Sequence, residues 1–189
     1  MIDASKLQVG DLLFYRGSGL IGGLISWLSG GRYTHVSVVS NTIDNNIKII
    51  EAHLDAKDDN GNKVSGVLEK TLNIDKWECK CDAKRLIGCL TRKAQNTLIL
   101  GLRRDYVGKV KYDLESFPSM FFYSRICKWL RLDKWRKGKP ILNDMVNPVC
   151  STLVDIGYHR YLDIDLLPKL NDNSASPSDL SKSKLLYSV

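Results

Sequence analysis

The chain has 189 residues, enough for one domain that buries roughly two-thirds of its unfolded surface. Its 43% hydrophobic and 26% charged content excludes wholesale disorder, and no run approaches the roughly 18 apolar residues of a membrane span. A formal net charge of +7 favours an acidic partner, such as an anionic lipid surface, a wall polymer or nucleic acid, without selecting among them. No helix-turn-helix, zinc-finger or aromatic ribonucleoprotein pattern is present, so no specific nucleic acid is expected. The five cysteines, an odd number without regular spacing, do not form a disulfide framework. Met1 to Lys6 lacks a charged region followed by an apolar one, so no signal peptide is expected and the setting is cytoplasmic or virus- or phage-associated.

Leu7 to Asp11 ends in a turn signal, and Leu12 to Tyr15 reads as a short buried strand. Between the glycines of Gly17 and Gly31, Ile21, Leu24, Ile25 and Leu28 fall at helical spacing and predict a short helix. The glycines match neither a phosphate loop nor GxGxxG. Tyr33 to Val39 is β-branched and alternating, a strand with Tyr33, His35, Ser37 and Val39 on its more polar face. Ile47 to His53 is its hairpin partner, which brings His35 beside Glu51 or His53, two residues that share a face.

Asp55 to Gly66 is polar and reads as a surface loop; its aspartates have the wrong offsets for a calcium loop. Val67 to Thr71 and Glu78 to Leu86 predict further strands, the second with Cys79 and Cys81 on one face but too few neighbouring ligands for zinc. Arg92 to Tyr106 predicts a helix with Ala94, Leu98, Ile99 and Leu102 as its stripe, and Gly108 to Asp113 a turn. Phe117 to Lys139 is a basic, aromatic insertion. Its Lys128, Arg131, Lys134, Arg136 and Lys137, with Trp129 and Trp135, suit an anionic surface. Tyr161 to Leu170 predicts another element, Asn171 to Ser176 a linker, and Ser176 to Leu180 a capped terminal helix.

Asn147 to Gly157 reads as a helix, with Pro148 at an early position, Val149, Leu153, Val154 and Ile156 buried, and Gly157 as the stop. Cys150 then lies in the first turn, where unpaired N–H groups and the helix dipole favour a thiolate over the ordinary thiol, whose pKa is about 8.5. A lone strand histidine is more often a satisfied structural one. Cys150 at a helix start and Glu51 on the neighbouring strand turn His35 into a candidate base.

The order Gly10-Asp11-Leu12-Leu13-Phe14, Tyr33-Thr34-His35-Val36-Ser37-Val38-Val39, Ile49-Ile50-Glu51-Ala52 and Cys150-Ser151-Thr152-Leu153-Val154 resembles NlpC-type papain-like cysteine peptidases. The nucleophile block follows the histidine strand, as in the circularly permuted YiiX-like branch, whose wider clan includes lecithin–retinol acyltransferase-type enzymes. Gly108 to Asp113 and Pro177-Ser178-Asp179-Leu180-Ser181 are similar to two further segments of that branch. Ser37 departs from the pattern, standing where a small glycine-like residue is common.

The resemblance implies an α+β fold over residues 1–189: a circularly permuted papain-like domain with a small antiparallel sheet or partial barrel and packed helices. It implies a cysteine hydrolase of amide or peptide bonds, a cell-wall peptide among them, or else a lipid-directed thioesterase, phospholipase or acyltransferase. A third expectation is an inactive fold kept as a binding module. Cys150 would be the nucleophile, His35 the acid–base and Glu51 the third member, with His53 the alternative there. Tyr112 would be a second oxyanion donor beside the Cys150 N–H. No metal or organic cofactor is implied.

Overall fold

The computed structural model describes residues 3–17, 31–43, 47–72, 81–111, 149–168, 170 and 175–189. Six strands form one antiparallel sheet: β1 (Leu12–Tyr15), β2 (His35–Asn41), β3 (Lys48–Lys57), β4 (Lys63–Thr71), β5 (Cys81–Leu86) and β6 (Leu186–Ser188). Their order is β4-β3-β2-β1-β5-β6. Among the described residues three α-helices accompany it, α1 (Arg92–Asp105), α2 (Cys150–Leu162) and α3 (Pro177–Leu180), together with a 3-10 turn at Ala4–Lys6. None of these helices is long and apolar enough to cross a membrane.

Strand alternation sorts the side chains into two layers. Leu12, Phe14, Val36, Val38, Ile50, Ala52 and Val67 pack with Leu98 and Leu102 of α1 and with Leu153, Val154 and Tyr158 of α2. Leu13, Val39, Ile49 and Ala83 form a smaller cluster on the opposite face. His35, Ser37 and Glu51 belong to that second face by alternation. Buried Asp11 takes Arg85 in two contacts, Nε at 2.7 Å and a terminal nitrogen at 2.9 Å, and so ties the turn before β1 to β5.

The polar stretch Asp55 to Gly66, expected as a loop, is mostly strand. β3 runs to Lys57 and β4 begins at Lys63, leaving residues 58–62 as the turn. A register shift between His53 and Ala56 lets the ladder continue past the irregularity. The Asp58 carboxylate then accepts the N–H groups of Asn60 at 2.9 Å and Asn62 at 2.8 Å, closing the turn. Gly66 is required here for a different reason. The chain after α1 docks on the outer side of β4, with Val67 N–H donating to Val110 O at 3.1 Å and Gly108 N–H donating to Val67 O at 2.9 Å. At φ +147° a Cβ on Gly66 would stand 2.3 Å from that Val110 oxygen.

The α1 helix follows its sequence signal: Thr91 caps it by accepting Ala94 N–H at 3.2 Å, and Leu98, Ile99 and Leu102 are buried. The α2 helix departs from its expected ends. Val149 is the N-cap and Cys150 the first helical residue, so the start lies later than the Pro148 start expected; Pro148 itself lies outside the described residues. Gly157 does not stop the helix, which runs to Leu162 and ends on Asp163 at φ 56°. Gly157 instead lets two helices approach. A Cβ there would stand 3.0 Å from Leu102 of α1, and one on Gly101 of α1 would stand 2.6 Å from the Tyr161 ring.

The element expected over Tyr161 to Leu170 is absent as such: Tyr161 and Leu162 complete α2, and residues 163–168 are irregular. Buried Leu166 is fixed there by its carbonyl, which accepts the Ser183 hydroxyl at 2.7 Å. The α3 helix carries the expected capping box between Ser176 and Asp179. Outside the described residues lie the helix expected between Gly17 and Gly31, Cys79, Tyr112, the basic Phe117 to Lys139 segment with Lys128, Arg131, Lys134, Arg136 and Lys137, and most of the Asn171 to Ser176 linker.

Candidate active site

His35 opens β2 and pairs with Tyr15 of β1, while Glu51 lies in β3. The two side chains share a sheet face because β2 and β3 run antiparallel with Val38 opposite Ile50 and Val39 opposite Ile49. The His35 Nε2 and Glu51 Oε2 are 2.7 Å apart. Glu51 is 3% exposed and the His35 side chain 20%, so the pair is shielded but reachable from one side.

Cys150 reaches the same imidazole. Cys150, 6% exposed at the first position of α2, lies close enough to His35 for its charge to act on the ring. No side chain caps this helix end. Leu153 N–H is the first to close onto Val149 O, at 2.9 Å, so the earlier N–H groups of the turn have no intrahelical acceptor.

The electrostatics follow from this packing. Burial by itself would push the His35 pKa down, but the negative charge of Cys150, then that of Glu51 with its hydrogen bond, raise it to about 10. Burial would likewise raise Glu51. The charge and hydrogen bond of His35, and then the charge of Lys70, hold it down to about 2. At neutral pH the arrangement therefore favours an imidazolium beside a carboxylate.

Three of the four expected site residues, Cys150, His35 and Glu51, are thus brought together. The fourth, Tyr112, lies outside the described residues. His53, the alternative for the third position, stands beside the pair and does not occupy the Nε2 position. Its ring meets that of His35 edge-on at a centroid distance of 5.4 Å, and its Nδ1 accepts Asp55 N–H at 3.1 Å. Burial, and then the charge of His35, lower its pKa.

Two neighbours were not anticipated from sequence. Tyr15 lays its ring against the His35 imidazole at 5.4 Å, and its hydroxyl is 3.0 Å from Ser37 Oγ. Lys70 of β4 brings its Nζ to 2.5 Å from Glu51 Oε1. Tyr15 was legible as a strand residue, and only the β1–β2 register places it opposite His35. Lys70 required the β3–β4 register, in which Ile49 faces Lys70 and Glu51 faces Leu68. Among the described residues, no group of three or more His, Cys, Asp or Glu side chains is placed to hold a metal ion.

No protein family profile and no curated protein matches the sequence. Among solved structures, the crystal structure of the metalloprotein YiiX from Escherichia coli O157:H7, DUF1105, is similar to this chain with a TM-score of 0.60. The likeness covers 96% of this chain and 96% of that one at 16% sequence identity. It is a likeness of fold. The chain is YiiX-like in its architecture, a mixed α/β domain with one antiparallel sheet.

Proposed function

We propose that the protein is a cysteine hydrolase of the permuted papain-like kind, cleaving an amide or peptide bond through a thioester on Cys150. The observation that carries this reading is the convergence of three side chains from three separate elements. His35 Nε2 is 2.7 Å from Glu51 Oε2, and the same ring lies within reach of the charge of Cys150, the residue that opens α2. A nucleophile, a base and a group that orients the base are the minimum set for acyl transfer.

In this reading the Cys150 sulfur attacks the carbonyl carbon and forms a C–S bond. The oxyanion is met by the Cys150 N–H at the helix start, where N–H groups point outward. The His35 imidazolium gives its proton to the leaving nitrogen as the C–N bond breaks. Water then attacks the thioester, with neutral His35 taking its proton, and sulfur departs as the free acid forms. Glu51 keeps the ring oriented and stabilises its charged form throughout.

The similar YiiX is described as a metalloprotein. The donor set here does not fit one: Glu51 directs one oxygen to His35 and the other to Lys70, and no third ligand converges with Cys150 and His35 among the described residues.

Cell-wall-type peptides are the preferred substrates, since a basic protein of net charge +7 suits an anionic polymer. The test is incubation of wild type and Cys150→Ala with two panels, wall-type peptides and lipid acyl esters, followed by intact-mass analysis. The reading expects an acyl adduct on Cys150 and turnover with the peptide panel, both absent from the variant. Turnover of the lipid panel alone would move the function to acyl-ester chemistry. No adduct and no turnover with either would leave a binding module.

A further inference from the structure

Glu51 is buried with a cation at each oxygen. His35 meets Oε2, and Lys70 meets Oε1 at 2.5 Å. The contact with Lys70 differs from the two lysine–aspartate pairs of the β3–β4 hairpin. Lys48–Asp59 and Lys63–Asp55 are 3.6 Å and 3.5 Å long between side chains at least 35% exposed. Lys70 is 25% exposed and its partner 3%. Surface pairs of the first sort contribute little, whereas a cation on a buried carboxylate offsets a large desolvation cost.

The strand register explains the geometry. Lys70 lies opposite Ile49 and is therefore the diagonal neighbour of Glu51 on the same face. The groups around this carboxylate are Lys70 from β4, His35 from β2 and His53 from its own strand, with Cys150 of α2 and Tyr15 of β1 beyond the imidazole. Lys70 thus sets a second cation on the buried carboxylate beside His35.

We propose that Lys70 is a positioning residue of this site: from the outermost strand it pins Glu51 by Oε1, so that Oε2 stays ionised and aimed at His35. It acts on Cys150 only through Glu51 and His35. This rests on the hydrolase reading and extends it by one residue.

The experiment is a ¹³C-carboxyl NMR titration of Glu51 in the full chain, its resonance assigned with Glu51→Gln, in wild type, Lys70→Met and Lys70→Arg. Iodoacetamide alkylation of Cys150 is followed in parallel across pH. In Lys70→Met the Glu51 midpoint rises by about one pH unit or more, and Cys150 alkylation on the acid side falls roughly tenfold. Lys70→Arg restores both. An unmoved midpoint, a moved midpoint with Cys150 unaffected, or failure of arginine to restore either would overturn the proposal. Should Lys70→Met not fold, wild type decides: the Lys70 ¹⁵Nζ resonance must follow the Glu51 titration, and its indifference would overturn the proposal. Cys150 of wild type reacting no faster than the other cysteines would sink the hydrolase reading instead, with the Glu51 midpoint still reporting on Lys70.

Discussion

Tyr15 and Ser37, diagonal neighbours on β1 and β2, are joined by a hydrogen bond of 3.0 Å that sets the tyrosine ring against His35. Ser37 is fully buried. The residue that departs from the expected glycine-like pattern is thus the anchor of an aromatic wall for the candidate base.

Tyr15→Phe keeps the ring and deletes the hydroxyl, which leaves the buried Ser37 Oγ without this partner. The expected cost is about 1–3 kcal/mol, read as a lower urea midpoint with an unchanged slope. Adding Ser37→Ala to that variant should recover part of the loss, because the orphaned hydroxyl is then gone.

Stability should depend on pH through the His35–Glu51 pair. His35 keeps its proton up to about 10 in the folded chain against an ordinary 6.5. Its contribution is therefore complete below about pH 6.5 and lost as pH rises toward 10. Glu51 is held at about 2 against an ordinary 4.5, so its contribution is present above about pH 4.5 and lost as pH falls toward 2. Urea midpoints across pH should show a plateau between these limits. His35→Gln should flatten the alkaline limb and Glu51→Gln the acid one.

The geometry separates Glu51 from His53. Once a substrate is in hand, Glu51→Gln should lower kcat by roughly 10²–10⁴-fold, the range seen when the group orienting a catalytic histidine is lost. His53→Ala removes an edge contact at 5.4 Å and not the Nε2 bond, so its effect should be roughly tenfold or less. The reverse order, measured as kcat for each variant, would reassign the third position to His53.

Much of the sheet was legible because Leu12 to Tyr15 is a short apolar run and Tyr33 to Val39 is β-branched and alternating. That alternation and a single hairpin brought His35 beside Glu51 or His53, and the resemblance chose Glu51. Lys70 was hidden for a physical reason: polarity between Asp55 and Gly66 imitates a loop, while the ladder there continues past a register shift. Gly157 was misread because a helix-stopping glycine and a glycine at a helix crossing look alike in sequence. Only the packing of Leu102 beside it tells them apart.

The central claim is that Cys150 and His35 form one chemical unit. Iodoacetamide alkylation at about pH 6, read cysteine by cysteine in wild type and His35→Ala, tests it most directly. Cys89 is exposed and Cys150 is buried, so accessibility alone would make Cys89 the faster. The account predicts that Cys150 reacts faster than Cys89 and loses that lead in His35→Ala. Cys150 slower than Cys89, or equally fast with and without His35, would contradict it.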